Sequence, residues 1–372
     1  MNINVSELFT TLLQEGGSDL HLVVGSPPRI RIDGQLKLWD EPVLTAEHMN
    51  QLVQELVPAQ QQGVLKEQGE LDWAYSLPEI GRFRLHLYRQ RGSWALAIRA
   101  VSDQIPTFEQ LGLPVNVADL LQKPQGLILV TGPTGSGKST TLAAMVDWIN
   151  RERRGHIVTL EDPIEVLHRH QKSLVTQLEI GSDVPEYHQA LRGLLRQDPD
   201  VVVLGELRDL DTIQSAMTLA ETGHLTIATV HTNSAIQTLT RLVSVFPSHQ
   251  QQEVRVQLSM VLVGVLAQRL LPKSQEKGRV MALEILVPTP AIRNLLREDK
   301  IHQIYSMMQT GQAQYGMQTL NQGLADLCQQ GLITVEIALG ATAHAEEFTK
   351  LLERMGRERP QPISLARLRN RG

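Results

Sequence analysis

Over the first hundred residues, apolar and polar positions alternate. In "GRFRLHLYRQRGSWALAIRA", Phe83, Leu85 and Leu87 fall on one face of an extended chain and Arg82, Arg84 and His86 on the other. That is the period of a half-buried strand. "RIRIDG" at 29–34 is similarly strand-like, and residues 45–65 carry a helical period. A small α+β domain over residues 1–105 is therefore expected. "VSDQIPTFEQLGLP" loses periodicity and carries Pro106, Gly112 and Pro114, so residues 106–115 read as a linker. From Gly126 the pattern changes: the continuous apolar runs "GLILVTG", "HIVTLED", "VVVLGE" and "LTIATVH" alternate with helical segments. Strands buried on both faces, joined by crossover helices, read this way. The fold class expected is α/β, with a core over 116–288, a helical region over 289–352 and a basic, disordered tail over 353–372, which holds six arginines between Arg354 and Arg371.

Composition removes several classes of function. A chain of 372 residues exceeds the usual single-domain size, and its 42% hydrophobic content is that of a globular protein. A net charge of -5 and an aromatic fraction of 4% offer neither attraction to nucleic acid nor many platforms for stacked bases. Cys328 is the single cysteine, which excludes an intramolecular disulfide. The start "MNINVSELFT" lacks a signal-peptide pattern, and the longest apolar stretch, around Met260 to Ala267, is too short to span a bilayer. A cytoplasmic protein is expected, with no direct membrane insertion; any membrane contact would be peripheral or through a partner.

The most specific motif is "GPTGSGKST". Gly132, Gly137, Lys138 and Ser139 satisfy G-x-x-x-x-G-K-[ST], with an apolar strand before and a helical pattern after. Backbone amides of Thr134, Gly135, Ser136 and Gly137, and of Lys138 to Thr140 at the helix start, would cradle phosphates. Lys138 would reach the β- and γ-phosphates, and Ser139 would bind Mg2+. A chance glycine-rich turn is the competing reading, and both flanks argue against it.

A triphosphatase also needs acids near the γ-phosphate. "HIVTLEDPIE" ends a strand at Glu161 and Asp162, and "DPDVVVLGELRD" ends another at Glu206. Either carboxylate could hold Mg2+ through water or polarise the attacking water; helix capping or a salt bridge is the bland alternative for each. No N-K-x-D tetrapeptide is present, which favours ATP over GTP. His224 and His231 bracket "LTIATV". With one remote cysteine and a seven-residue spacing, a zinc site between them is rejected. His231 should stand beside the phosphate loop at the ligand edge of an open sheet, and a core or capping role competes for both histidines.

The run of phosphate loop, "TLEDPIE", "GELRD" and "ETGHLTIATVHTN" resembles the secretion and pilus ATPases. "AIRNLLRE" at 291–298, followed by "IYSMMQTGQ" and "GMQTLNQGLADL", is similar to their pilus-retraction subgroup, over about residue 5 to 350. The resemblance implies a RecA-like P-loop ATPase domain preceded by a small PAS-like α+β domain. It implies a homohexamer that hydrolyses ATP with Mg2+ and drives pilus disassembly through an inner-membrane platform protein, with other pilus ATPases as further partners and no nucleic acid. One histidine would sense the γ-phosphate, with His231 favoured directly and His224 through a subunit interface. Glu161 is expected to polarise water and Glu206 to organise the metal. Arg84 and Arg99 match arginines that family members direct at a neighbour's phosphates, although a solvated basic strand face competes with that role. The 291–298 helix, expected to bury Ile292, Leu295 and Leu296, would present Arg293, Asn294 and Arg297 outward for coupling to retraction. An accessory retraction paralogue, a secretion-system ATPase of the same core, a RecA-like nucleic-acid motor and a non-hydrolysing regulatory subunit are the alternatives.

Overall fold

The computed structural model describes residues 4–32, 35–77, 80–101, 104–275 and 278–355. The chain divides into two compact units, Met1–Gln104 with Pro163–His168, and Ile105–Asp162 with Arg169–Gly372.

The first unit is built on β1 (Asp19–Val23), β2 (Arg29–Ile32), β3 (Gln35–Leu38), β4 (Glu70–Leu77), β5 (Gly81–Gln90) and β6 (Ser93–Val101). They form one sheet in the order β3-β2-β1-β6-β5-β4, with antiparallel neighbours throughout. Alternation sends Phe83, Leu85 and Leu87 inward, where each is at most 1% exposed. The helix Val5–Gln14 covers that face, and its Phe9 stacks on Phe83 with ring centroids 4.4 Å apart. The helical period over 45–65 resolves into a helix Ala46–Leu56, a short 3-10 turn and a second helix Gln62–Gln68. Pro58 explains the break: Val57 before it is extended (φ -81°, ψ 118°) and the proline itself has no N–H to donate.

In the second unit, β7 (Gly126–Thr131), β8 (His156–Glu161), β9 (Leu174–Glu179), β10 (Val201–Leu204), β11 (Leu225–Val230), β12 (Leu262–Pro272) and β13 (Arg279–Leu286) form a sheet in the order β13-β12-β7-β11-β10-β8-β9. All neighbours are parallel except β12 and β13. Every residue of β7, β10 and β11 is buried, as their unbroken apolar runs require. The helices Lys138–Glu152, Leu210–Glu221 and Ala235–Ser244 follow β7, β10 and β11.

Three boundaries differ from the sequence reading. Residues 106–115, expected to be a linker, contain a one-turn helix, Phe108–Leu111, with a Thr107/Gln110 capping box and Gly112 at φ +71° closing it. Leu113 behind it is 6% exposed and part of the second unit's core, so this segment is packed structure; a single turn is too short to show a period. The core expected over 116–288 is interrupted by Pro163–His168, which group with the first unit. At the far end, Glu353 and Arg354 still belong to the helix Ala345–Arg354, and residues 356–372, with most of the basic tail, lie outside the described residues.

Candidate active site

β7 ends at Thr131, and the chain turns through Gly132 to Gly137 into the helix that begins at Lys138. Gly137 sits at φ +88°, a conformation that a Cβ disfavours. A Cβ on Gly132 would strike the Gln268 carbonyl oxygen and Ser136 Oγ. Gln268, on the neighbouring strand β12 and 1% exposed, donates from Nε2 to the Ser136 carbonyl at 2.7 Å and so braces the loop from beneath. Ser136 Oγ is buried without a hydrogen-bond partner in the protein. Thr134, Gly135, Ser139 and Thr140 are exposed. A glycine cradle open on one side, at the amino end of a 15-residue helix, fits a polyphosphate. The Ser139 hydroxyl and the Glu206 carboxylate are hard oxygen donors that suit Mg2+.

Strand order decides what faces the cradle. β11 lies beside β7 and β10 beside β11, so their carboxyl ends deliver His231 and Glu206 to one edge. Lys138 Nζ donates to the carbonyls of Gly132 (2.9 Å) and Pro133 (3.1 Å) and lies 3.4 Å from His231 Nδ1. His231 Nε2 lies 3.2 Å from Glu206 Oε1, and Arg208 Nε pairs with Glu206 Oε2 at 2.9 Å. A neutral imidazole protonated on Nε2 satisfies both contacts, accepting from the ammonium and donating to the carboxylate. The Glu206 hydrogen bond, first, and its charge raise the Arg208 pKa further above its ordinary value. Glu161 ends β8, one strand beyond β10, and its Oε1 accepts from Thr159 Oγ1 (2.6 Å) and Gln177 Nε2 (3.1 Å).

The remaining sequence candidates lie elsewhere. His224 precedes β11, at the opposite sheet edge from His231 and roughly 20 Å away at ~3.3 Å per residue. Its Nδ1 contacts the Leu219 carbonyl at 3.0 Å, at the end of the helix Leu210–Glu221. Arg84 and Arg99 are cross-strand neighbours on the exposed face of the first unit's sheet, and Arg99 Nε bonds Asp19 Oδ1 at 2.9 Å. In the helix Pro290–Arg297, Ile292 and Leu296 are buried and Leu295 is partly buried against the core, as the apolar stripe requires. Arg293, however, does not face outward. Its guanidinium folds back onto the last carbonyls of the helix Gln251–Val261, donating to Ser259, to Met260 (3.0 Å) and to Leu262 (2.9 Å). A fork of five donors one turn from a helix end with unpaired carbonyls explains the inversion. Asn294 is exposed and Arg297 is half-buried. Among the described residues, no cluster of three or more His, Cys, Asp or Glu is placed to hold a metal, and no helix is long and apolar enough to cross a membrane.

Sequence reasoning missed Arg208, Gln268 and the Thr131–Thr232 pair, in which Thr131 Oγ1 donates to the Thr232 carbonyl (2.5 Å) and accepts from its N–H (3.1 Å). The usable signal was polar residues inside otherwise apolar runs: Gln268 in "LVGVLAQRLLP" and Thr131 at the end of "GLILVT".

A phosphate cradle on a central, fully buried parallel strand, faced by a carboxylate two strands away, is the arrangement of a RecA-like P-loop nucleoside triphosphatase. The family described as "Type II/IV secretion system protein" matches residues 95–339, and the chain belongs to that family of ATPases. It is 43% identical, over 93% of its own length and 100% of the relative's, to the "Type IV pilus retractation ATPase PilT" of Pseudomonas aeruginosa. It is 42% identical to a "Twitching motility protein" of Neisseria gonorrhoeae, over 87% of this chain and 86% of that one. The crystal structure of the pilus retraction motor PilT with bound ADP superposes with a TM-score of 0.87 at 46% identity, covering 95% of this chain and 100% of that one.

Proposed function

We propose that this chain is the ATP-hydrolysing subunit of a homohexameric motor that powers type IV pilus retraction and hence twitching motility. The observation that carries the pilus assignment is the full-length likeness to a pilus retraction ATPase, 93% of this chain against 100% of the relative. In this reading Lys138 exchanges its two neutral carbonyl acceptors for the more strongly attracting β- and γ-phosphate oxygens. Ser139 and Glu206 would hold Mg2+, which supplies charge neutralisation when bound. His231 would report the γ-phosphate to the carboxylate, a role supported by its contacts with both Lys138 and Glu206. Glu161 orients and polarises the attacking water.

Arg84 and Arg99 would act in trans on a neighbouring subunit's phosphates, Arg99 exchanging Asp19 for phosphate. His224, at the far sheet edge, enters this reading only through a neighbouring subunit. Asn294 and Arg297 carry the coupling role in the 291–298 helix, with Arg293 holding that helix in place. The motor works in the cytoplasm, reaching the inner membrane through a platform protein of the pilus machinery. Deleting the gene and scoring surface pili and twitching tests the assignment. Abundant pili with no motility is the expected result, whereas loss of pili would assign the chain to assembly.

A further inference from the structure

The loop that carries His231 is held from two sides. On one side Thr232 is locked to Thr131 through its carbonyl and N–H. On the other, the loop runs through Asn233 and Ser234 into the helix Ala235–Ser244, and Thr232 Oγ1 reaches Thr238 Oγ1 at 2.7 Å. That helix begins with a problem. Ala235 is 0% exposed, so its N–H, one of the first-turn amides without an intrahelical partner, has no access to water. Glu284 answers it: from β13, at 4% exposure, its Oε1 accepts from Ala235 N at 2.6 Å.

The placement follows from sheet register. Val230 lies opposite Thr131, Thr131 opposite Ala267, and Ala267 opposite Glu284. One row across four strands therefore joins the residue before His231, the residue before the phosphate loop, and Glu284. The backbone amide of Leu320, the first residue of the helix Leu320–Gln329, also lies against this side chain and favours its ionised form. Burial, above all, raises the Glu284 pKa, while the Ala235 and Leu320 amides and the charges of Arg269 and His344 lower it. Two helix N-termini thus converge on one buried carboxylate, each offering an unpaired N–H and the positive end of its dipole. A packed sheet row of this kind gains nothing from a buried acid in apolar terms, since a carboxylate costs far more to bury than the aliphatic residues beside it.

The structure assigns Glu284 as the positioning residue of the His231 loop, tying the γ-phosphate sensor to the C-terminal helical region. The assignment rests on the sensor reading of His231 given above. In this assignment Glu284 acts by setting where the helix behind the sensor begins, while the same side chain meets Leu320 at the start of another helix. Glu284→Gln keeps the shape but leaves one acceptor oxygen in place of the carboxyl group's two, so it meets the two helix starts less well.

The test is a binding cycle on the full-length chain, which does not depend on residual turnover. Dissociation constants for ADP and for a non-hydrolysable ATP analogue are measured in wild type, His231→Ala, Glu284→Gln and the double variant, with a melting curve for each. The expected result is a preference for the ATP analogue over ADP that falls about tenfold in either single variant and no further in the double, with ADP affinity within about twofold of wild type. If His231→Ala lowers the preference and Glu284→Gln does not, or if the two losses multiply, Glu284 acts independently of the sensor and the inference is wrong. If His231→Ala itself leaves the preference intact, the sensor reading falls and takes the inference with it. Should Glu284→Gln fail to fold, Glu284→Asp, which keeps the carboxyl group on a shorter stem, is put through the same cycle with the same outcomes.

Discussion

The two ends of β11 hold a histidine each, and the two sites differ in kind. At the carboxyl end His231 contacts other side chains, Lys138 and Glu206, with 42% of its own side chain and 26% of the glutamate's open to solvent. At the amino end the bonds run chiefly to backbone: His224 to the Leu219 carbonyl at 3.0 Å, with the Thr222 hydroxyl at 3.3 Å, and Arg293 to the carbonyls of Met260 and Leu262. A side chain bonded to other side chains can change partners when a charged ligand arrives, because each member keeps its own rotamers. One bonded to helix-end carbonyls closes the ladder of a rigid element, and releasing it leaves unpaired groups. The carboxyl edge is built to be rearranged and the amino edge to stay fixed.

The sharpest way to break this contrast is at Lys138. Lys138→Ala removes the charge that follows the transferring phosphoryl group and should reduce ATPase turnover by at least ~10²-fold. The fold should survive, since the loop keeps its Gln268 brace. Turnover within about threefold of wild type, with a normal melting curve, would end the reading of the carboxyl edge as the reacting one.

The histidines give the next largest contrast. His231→Ala should lower kcat at least tenfold, equivalent to about 1.4 kcal/mol of barrier, with little change in melting temperature. His224→Ala should do the reverse, costing on the order of 1 kcal/mol of stability as a helix-end contact is lost while ATP affinity is unchanged and kcat stays within about threefold. Steady-state rates and melting curves on both variants decide it. Equal losses of kcat would mean that the amino edge also acts in catalysis, through whatever a neighbouring subunit brings to it.

What could be read from the chain follows the same division. The phosphate loop was legible because its chemistry is local: Gly132 to Ser139 are consecutive, and the strand before and helix after them are visible in the pattern. The alternating and continuous apolar runs gave β5, β7, β8, β10 and β11, since side-chain period is a property of one segment. The bonds Lys138–His231–Glu206, Thr131–Thr232 and Ala235–Glu284 span 93, 101 and 49 residues of sequence in their most distant steps. Register across the sheet sets them, and no local pattern encodes it. Strand polarity did hold one usable clue: β11 runs parallel to β7, so the residue that starts it must lie at the edge away from the phosphate loop. Residues 106–115 failed for another reason, because a one-turn helix and a buried Leu113 are shorter than the window in which periodicity is measured.

The smallest effect separates the two arginines of the 291–298 helix, which sequence reasoning treated as equivalent. Arg293 makes hydrogen bonds to the carbonyls of Ser259, Met260 and Leu262, and burial, with the nearby Arg297 charge, lowers its pKa from the usual arginine value. Arg293→Ala removes these three bonds at a helix end, although Met260 is 58% exposed and water can reach part of the site. The cost should be about 1–3 kcal/mol, seen as a lower melting temperature with ATPase activity within about twofold of wild type. Among the described residues the Arg297 guanidinium donates to Ser259 Oγ at 3.5 Å and Asn294 Oδ1 at 3.2 Å, so Arg297→Ala should change stability by no more than ~0.5 kcal/mol. If both variants melt alike, the Arg293 bonds add nothing and the amino edge is not the fixed end of the sheet. If Arg297→Ala melts and hydrolyses ATP as wild type does yet abolishes twitching, the coupling role proposed for Arg297 stands. Normal twitching in that variant would remove Arg297 from coupling altogether.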